Sequence, residues 1–196
     1  MSNATTQTDV IPSTETDRTD QLRRIHTSFM MLMHVSKRWF AQRLQSYGLT
    51  LPQFVALAAL AGHQHPCTMS DLTSVTFHDA PTMTGVIDRL VKMKLVQRTR
   101  SETDRRVVLV YTTQAGVELV QEIETNVFNE MSNGYRIFSD NQLADLEQIL
   151  HSMLRVQLMQ QSALDNSQLD AEIEKLRQFV QDPINYVKSE NGKFTF

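Results

Sequence analysis

From Asp20 onward the apolar residues recur at helical rather than strand spacing. In DQLRRIHTSFMMLMHVSKRWFAQRLQ, the positions Leu22, Ile25, Phe29, Leu32, Met33, Phe40 and Leu44 predict one long helix, and Gly48 supplies its stop. Leu49-Thr50-Leu51-Pro52 restarts the chain, with Thr50 or Leu51 as N-cap of a second helix reaching about Gly62. Thr68-Met69-Ser70-Asp71 opens a short third helix to about Thr76, its capping box weakened by Asp where Glu or Gln is usual. Asp79 can cap a fourth, Ala80 to about Met93, which gathers Met83, Val86, Ile87 and Leu90 on one face.

The period then changes. Leu95 to Arg100 and Val107 to Thr112 are strand-like runs around a polar loop. Gln114 opens a helix to about Asn133, and Ser139 with Gln142 forms a capping box for another, Asp140 to about Gln161. The apolar stripe of that helix, from Leu143 to Leu158, has the spacing of a helix-pairing seam. A last helix is predicted over Leu169 to Val180. Two short helices joined by a few residues, the second more basic, make a helix-turn-helix. With the hairpin and the flanking helices, the fold class is mainly α: a winged helix-turn-helix with long N- and C-terminal dimerisation helices and a two-stranded wing. The domain boundaries follow: a disordered N-terminal tail over 1–19, the winged-helix body with its flanking helices over 20–161, and a partly helical C-terminal extension over 162–196 that either extends a dimer or covers a pocket.

Composition narrows the class. Apolar residues make up 41% of the 196, enough for a core, and six glycines and five prolines argue against a loop-rich or all-β fold. The single cysteine, Cys67, excludes an intramolecular disulfide and suits a reducing cytosol. No apolar run approaches ~18 residues and no basic-then-apolar leader opens the chain, so the expectation is a cytoplasmic protein without a membrane partner. Net charge is −3, yet the segment Pro81–Arg106 carries +4 and the remainder −7. A basic island on an acidic body is the footprint of a protein that presents one face to a polyanion. Neither a nucleophile–base spacing, a phosphate loop nor a suggestive carboxylate pair is present, which argues against an enzyme.

At the hairpin, Asp104-x-Arg106, five residues, Thr112-Thr113, two residues, Gly116 resembles the wing signature of the MarR family of transcriptional regulators, whose usual form is Asp-x-Arg, five residues, Leu-Thr, two residues, Gly. Leu90 to Arg98 resembles the family's end of recognition helix and first wing strand, and the likeness extends over roughly Asp20 to Gln161. There are departures. Lys94 stands where the family usually has a turn glycine, so that corner should differ or carry strain. Thr112 replaces a leucine, Phe77 a glycine between the two short helices, and Gly85 a recognition-helix residue that is often basic.

The resemblance implies a transcriptional regulator, expected to be a ligand-relieved repressor, that binds a pseudo-palindromic operator in double-stranded DNA as a homodimer. Arg106 matches the family's minor-groove arginine and Asp104 the partner that holds it; Arg105 suits a phosphate. Thr82 and Thr84 stand near the N-terminus of the recognition helix, the end that faces base edges, while Arg89 and Lys92 suit phosphates. Thr68 and Ser70 can donate to a phosphate, although capping is the better role for Thr68. Leu22, Ile25, Leu146, Ile149, Leu150 and Met153 are the candidate dimer contacts. The implied effector is a small aromatic acid or phenol, with His34 and Trp39 as candidate pocket residues and no cofactor. His63-x-His65-x-Cys67 has three metal-ligand types, but a short His-rich connection is ordinarily inert, and no metal is expected. Cys67 as a redox sensor would have to be exposed with a lowered pKa. The rival reading is a winged-helix protein-interaction module that does not bind DNA.

Overall fold

A computed structural model of the protein describes residues 15–63, 65–76, 79–161, 166–181 and 184. Along the chain these form α1 (Glu15–Ser46), α2 (Leu51–His63), β1 (Cys67–Thr68), α3 (Met69–Thr76), α4 (Ala80–Lys92), β2 (Val96–Arg100), β3 (Val108–Thr112), α5 (Gln114–Tyr135), α6 (Asp140–Gln161) and α7 (Asn166–Gln181). The chain divides into two compact units, Met1–Arg43 and Leu44–Phe196. Among the described residues, no helix is long and apolar enough to cross a membrane.

The first unit is the long helix. It begins at Glu15, so residues 15–19 are helical rather than part of a disordered tail. The helix dipole favours this: Asp17 lies in the first turn, at the positive end, where an acidic side chain favours helix over coil. The remainder of that tail lies outside the described residues. Along α1 the expected apolar stripe is exposed: Leu22 is 58% and Leu32 63% accessible, and Ile25, Phe29 and Met33 are exposed as well.

The second unit is built around α2. Leu57 and Leu60 of α2, Leu72 of α3, Met83, Ile87 and Leu90 of α4, Val96 of β2, Val110 of β3 and Ile123 of α5 are all buried, so one core joins the short helices to the sheet. Local chemistry starts each helix. Thr50 is the N-cap of α2: its carbonyl accepts from the amide of Phe54 at 2.9 Å, and its own amide donates to Gln53 Oε1 at 2.9 Å. Thr68 and Asp71 form a reciprocal capping box on α3 at 2.8 and 3.2 Å, so the shorter aspartate reaches after all. Asp79 Oδ1 accepts from the amide of Thr82 at 2.8 Å at the start of α4, and Ser139 with Gln142 caps α6 at 2.9 and 3.3 Å.

Strands β2 and β3 pair antiparallel, from Val96↔Thr112 to Arg100↔Val108, and make the wing. The sheet has a third member that the periodicity did not announce. The two residues of β1 pair with β3, Cys67↔Val110 and Thr68↔Leu109, giving the order β1-β3-β2. A two-residue strand has no alternation to read; only the partner strand defines it.

Two helices end on the same device. After α1, Gly48 adopts φ +71°, its amide donates to Gln45 O at 3.0 Å and the next amide, of Leu49, donates to Leu44 O at 3.0 Å. After α4, Lys94 adopts φ 62°, its amide donates to Val91 O at 2.9 Å and that of Leu95 to Leu90 O at 3.0 Å. Both are Schellman closures, each sealed by a buried leucine pair. The missing glycine therefore leaves the corner's shape unchanged, and the lysine bears the left-handed conformation. Lys94→Gly is accordingly expected to stabilise the protein by about 1 kcal/mol, read as a raised midpoint in chemical denaturation with an unchanged slope.

Candidate nucleic-acid interface

The root of the wing is a hydrogen-bonded knot. Thr113 Oγ1 donates to the carbonyl of Lys94 at 2.9 Å and accepts from the amide of Gly116 at 3.1 Å, which makes Thr113 the N-cap of α5. The amide of Thr113 donates to Leu95 O at 2.9 Å, and Thr112 Oγ1, in the place usually held by leucine, donates to the same oxygen at 3.3 Å. A Cβ on Gly116 would stand 2.3 Å from Leu95 O, so only glycine lets α5 approach this closely. The end of α4, the start of β2 and the start of α5 are thus tied at one point.

At the wing tip, Asp104 grips Arg106 three times. Its Oδ1 accepts from the Arg106 amide at 3.0 Å and from Nε at 3.1 Å, and its Oδ2 accepts from the far end of the guanidinium at 3.2 Å. The carbonyl of Asp104 accepts from the amide of Val107 at 2.9 Å, closing the turn. The Arg106 side chain nevertheless remains 91% exposed. An ion pair so open to water adds little to stability; its effect is to limit where the guanidinium can point. The Arg106 guanidinium, and after it the Arg106 amide, hold the Asp104 carboxyl below the usual carboxylate range.

The other bases of the island divide into two sets. Arg98 of β2 pairs with Asp88 of α4, and Arg100 donates to the carbonyl of Arg105 at 3.0 Å, so these two brace the wing. Sequence reasoning missed this bracing role; Asp88 and Arg98 are ten residues apart on different elements, and only the fold brings them together. Arg89, Lys92, Lys94 and Arg105 are exposed, and among the described residues none of the four has an ion-pair partner.

On α4, Thr82, Thr84 and Gly85 are exposed near the N-terminus, with Arg89 and Lys92 farther along. The Thr84 hydroxyl donates to Ala80 O at 2.8 Å, which leaves its oxygen lone pairs and methyl group for an outside contact. Gly85 differs from Gly116 and Gly48: nothing lies within 4 Å of a Cβ built there, and its φ is not positive. Ser70 is exposed, whereas Thr68 is half-buried and engaged in its capping box.

The remaining candidates fall elsewhere. Cys67 is buried in β1, which removes the exposure a redox sensor requires. His63 is buried and meets the ring of His65 edge-on at 5.9 Å. No group of three His, Cys, Asp or Glu among the described residues is placed to hold a metal ion. On α1, His34 is exposed, and the Trp39 ring lies 5.8 Å from the Arg43 guanidinium on its own helix, within cation–π range. Ile149, Leu150 and Met153 of α6 are exposed, Ile149 to 56%, and Leu146 is half-buried. Leu146 and Leu150 line a groove of about 440 Å³ together with Tyr135 and Leu143, and Ile149 and Met153 lie outside it.

Comparison with known proteins agrees with this geometry. The profile of the MarR family matches residues 47–107, from the end of α1 through the wing tip. The chain is 30% identical over 135 residues to the uncharacterized HTH-type transcriptional regulator YsmB of Bacillus subtilis, covering 67% of this chain and 92% of that one. It is 37% identical over 81 residues to the HTH-type transcriptional repressor NicR of Pseudomonas putida, covering 41% of this chain and 51% of the repressor. Among solved structures it is similar to a variant of the Staphylococcus aureus regulator MepR bound to an oligodeoxyribonucleotide, with 26% identity, a TM-score of 0.55, and coverage of 66% of this chain and 95% of that one.

Two outcomes follow from the site. Because the folded-state pKa of Asp104 is depressed, its contribution is complete above the ordinary carboxylate range and is lost as pH falls through the lowered value. A carbon-detected NMR titration should place Asp104 below the ordinary aspartate value, and Arg106→Ala should move it back up. Since no neighbour requires glycine at position 85, Gly85→Ala should raise helix stability by about 0.5–1 kcal/mol, measured by thermal unfolding.

Proposed function

The chain belongs to the MarR family of winged helix-turn-helix transcriptional regulators, which are DNA-binding proteins and not enzymes, and from that premise we propose that it is a cytoplasmic repressor whose homodimer reads a pseudo-palindromic operator and is released by a small effector. The observation that carries this reading is the wing tip: an arginine 91% exposed, yet held at three points by Asp104. A narrow cationic hairpin of this kind suits a minor groove, where narrow A·T-rich stretches concentrate negative potential. Thr82 and Thr84 take base edges in the major groove, and Arg89, Lys92 and Arg105 take phosphates on either side. Ser70, exposed at the start of α3, adds a phosphate contact, and Thr68 keeps to its cap.

The homodimer rests on exposed apolar surface. Leu22 and Ile25 of α1, with Ile149, Leu150 and Met153 of α6, are large side chains 40% or more accessible in the single chain, and Leu146 lies half-buried among the latter. Soluble monomers rarely leave such stripes uncovered. A second copy would cover them and set two wings at the spacing of two half-sites. NicR is named a repressor, which supports that direction of control, and the DNA-bound MepR variant supports the nucleic-acid partner.

The test is fluorescence-anisotropy titration with DNA from upstream of the protein's own gene at several salt concentrations. Wild type should bind with an affinity that falls steeply with salt, losing about 0.9 logarithmic units per tenfold salt increase for each phosphate neutralised. Arg106→Ala should weaken binding by about tenfold or more. Binding indifferent to salt and to Arg106→Ala would overturn the reading and favour a winged helix that recognises protein.

A further inference from the structure

Helix α7 lies outside the residues that the MarR profile matches. It is anchored to the body: Asp170 pairs with Arg155 of α6, and Leu158 and Leu169 are buried. Its far end, with α2 and α5, walls a cavity of about 550 Å³. The space exists because α2 presents the small residues Ala58 and Gly62 there, which leave a gap that larger side chains would fill. Val117 of α5 and Phe179 of α7 add apolar walls, and Gln121 and Glu124, one helical turn apart on α5, add the polar atoms. A cavity of this size falls within the ~300–1,000 Å³ typical of small-molecule sites.

Charge selects the ligand. Among the described lining residues Glu124 is the one charged side chain, and no cation offsets it on the wall. An aromatic acid, the effector class that the family resemblance implies, would bring a second negative charge to this wall. An apolar body bearing a protonated amine would meet both the hydrocarbon floor and the carboxylate. We propose that the cavity between α2, α5 and α7 is a binding site for such an amine, and that its occupancy sets the protein's affinity for DNA. The second half rests on the DNA-binding reading above; the first does not. The coupling has a physical route, since α2 packs on α4 and the first turn of α5 is pinned to the wing root through Thr113. A molecule seated between α2 and α5 thus bears on both DNA-reading elements and shifts the population competent for DNA.

The experiment uses the full chain and three matched probes: phenylbutylamine, phenylbutanol and phenylbutyrate. Calorimetric titration without DNA should rank them amine, alcohol, acid. Glu124→Gln should weaken the amine about two- to fivefold, to the level of the alcohol, and leave the alcohol unchanged. Ala58→Phe, which fills the cavity, should abolish binding of all three; Val117→Phe replaces it if that variant does not melt cooperatively. Absence of amine binding at millimolar concentration, unchanged binding in a folded cavity-filled variant, or acid binding as tight as the amine would each overturn the site. In the anisotropy assay, saturating amine should lower the DNA affinity of wild type and leave that of the filled variant unchanged. An affinity that does not move would overturn the regulatory half, while failure of the wild type to bind DNA at all would count against the DNA-binding reading and not against the site.

Discussion

The wing is only as well aimed as its root, and the root depends on the contact between Gly116 and the Leu95 carbonyl. A side chain at 116 would begin 2.3 Å from that oxygen, so the absence of a Cβ is what lets α5 start against the end of α4. Leu95 O accepts from two donors of the next strand's end, and the Lys94 carbonyl accepts the hydroxyl of the residue that caps α5. The amide and the carbonyl of both Lys94 and Leu95 are hydrogen-bonded, which is why the left-handed turn persists even with lysine in it. A strained φ costs on the order of 1–2 kcal/mol. Opening the corner would release several hydrogen bonds of about 1 kcal/mol each, with buried partners left unpaired. The larger sum wins, and the lysine is strained.

Electrostatics is arranged on the same plan, with some charges spent to position others. Asp88 takes up Arg98, the Arg105 carbonyl takes up Arg100, and Asp104 takes up Arg106 without hiding it. Exposed pairs of this kind contribute little to folding, so their effect is conformational: they hold a hairpin tip, otherwise among the most mobile parts of a fold, in one shape before any partner arrives. Preorganisation lowers the ordering cost of association. Arg89, Lys92, Lys94 and Arg105, which have no ion-pair partner among the described residues, are the ones with charge to offer a polyanion.

Much of this was legible in the chain. Helical spacing together with capping residues placed the helices among the described residues, although α1 starts five residues and α7 three residues earlier than read, and runs of strand-forming residues marked both wing strands. What escaped did so for identifiable reasons. The first helix begins at Glu15 because acidic residues at a helix N-terminus count in its favour, whereas a composition rule scores them as tail. Strand β1 is two residues long and exists only through its pairing with β3. The Asp88–Arg98 brace and the cavity under α7 join segments remote in sequence, which no periodicity encodes. Three of the six glycines also separate only in space: Gly48 is set by its φ, Gly116 by a close approach, and Gly85 by nothing among the described residues.

That last distinction bears on what the chain is built to meet. A glycine on an exposed helix face costs helix stability of about 0.5–1 kcal/mol relative to alanine, and no packing inside the protein recovers it at position 85. The exposed stripes of α1 and α6 present the same imbalance on a larger scale, since large apolar side chains in water forfeit the burial that would stabilise the fold. Both features cost free energy in the isolated chain. On the proposed reading both would be offset once a surface is laid against them: a second copy on the stripes, and a duplex close to the backbone at Gly85, where the missing side chain would shorten the distance of approach. The residues that make least sense in the single chain are thus the ones from which its partners can be read.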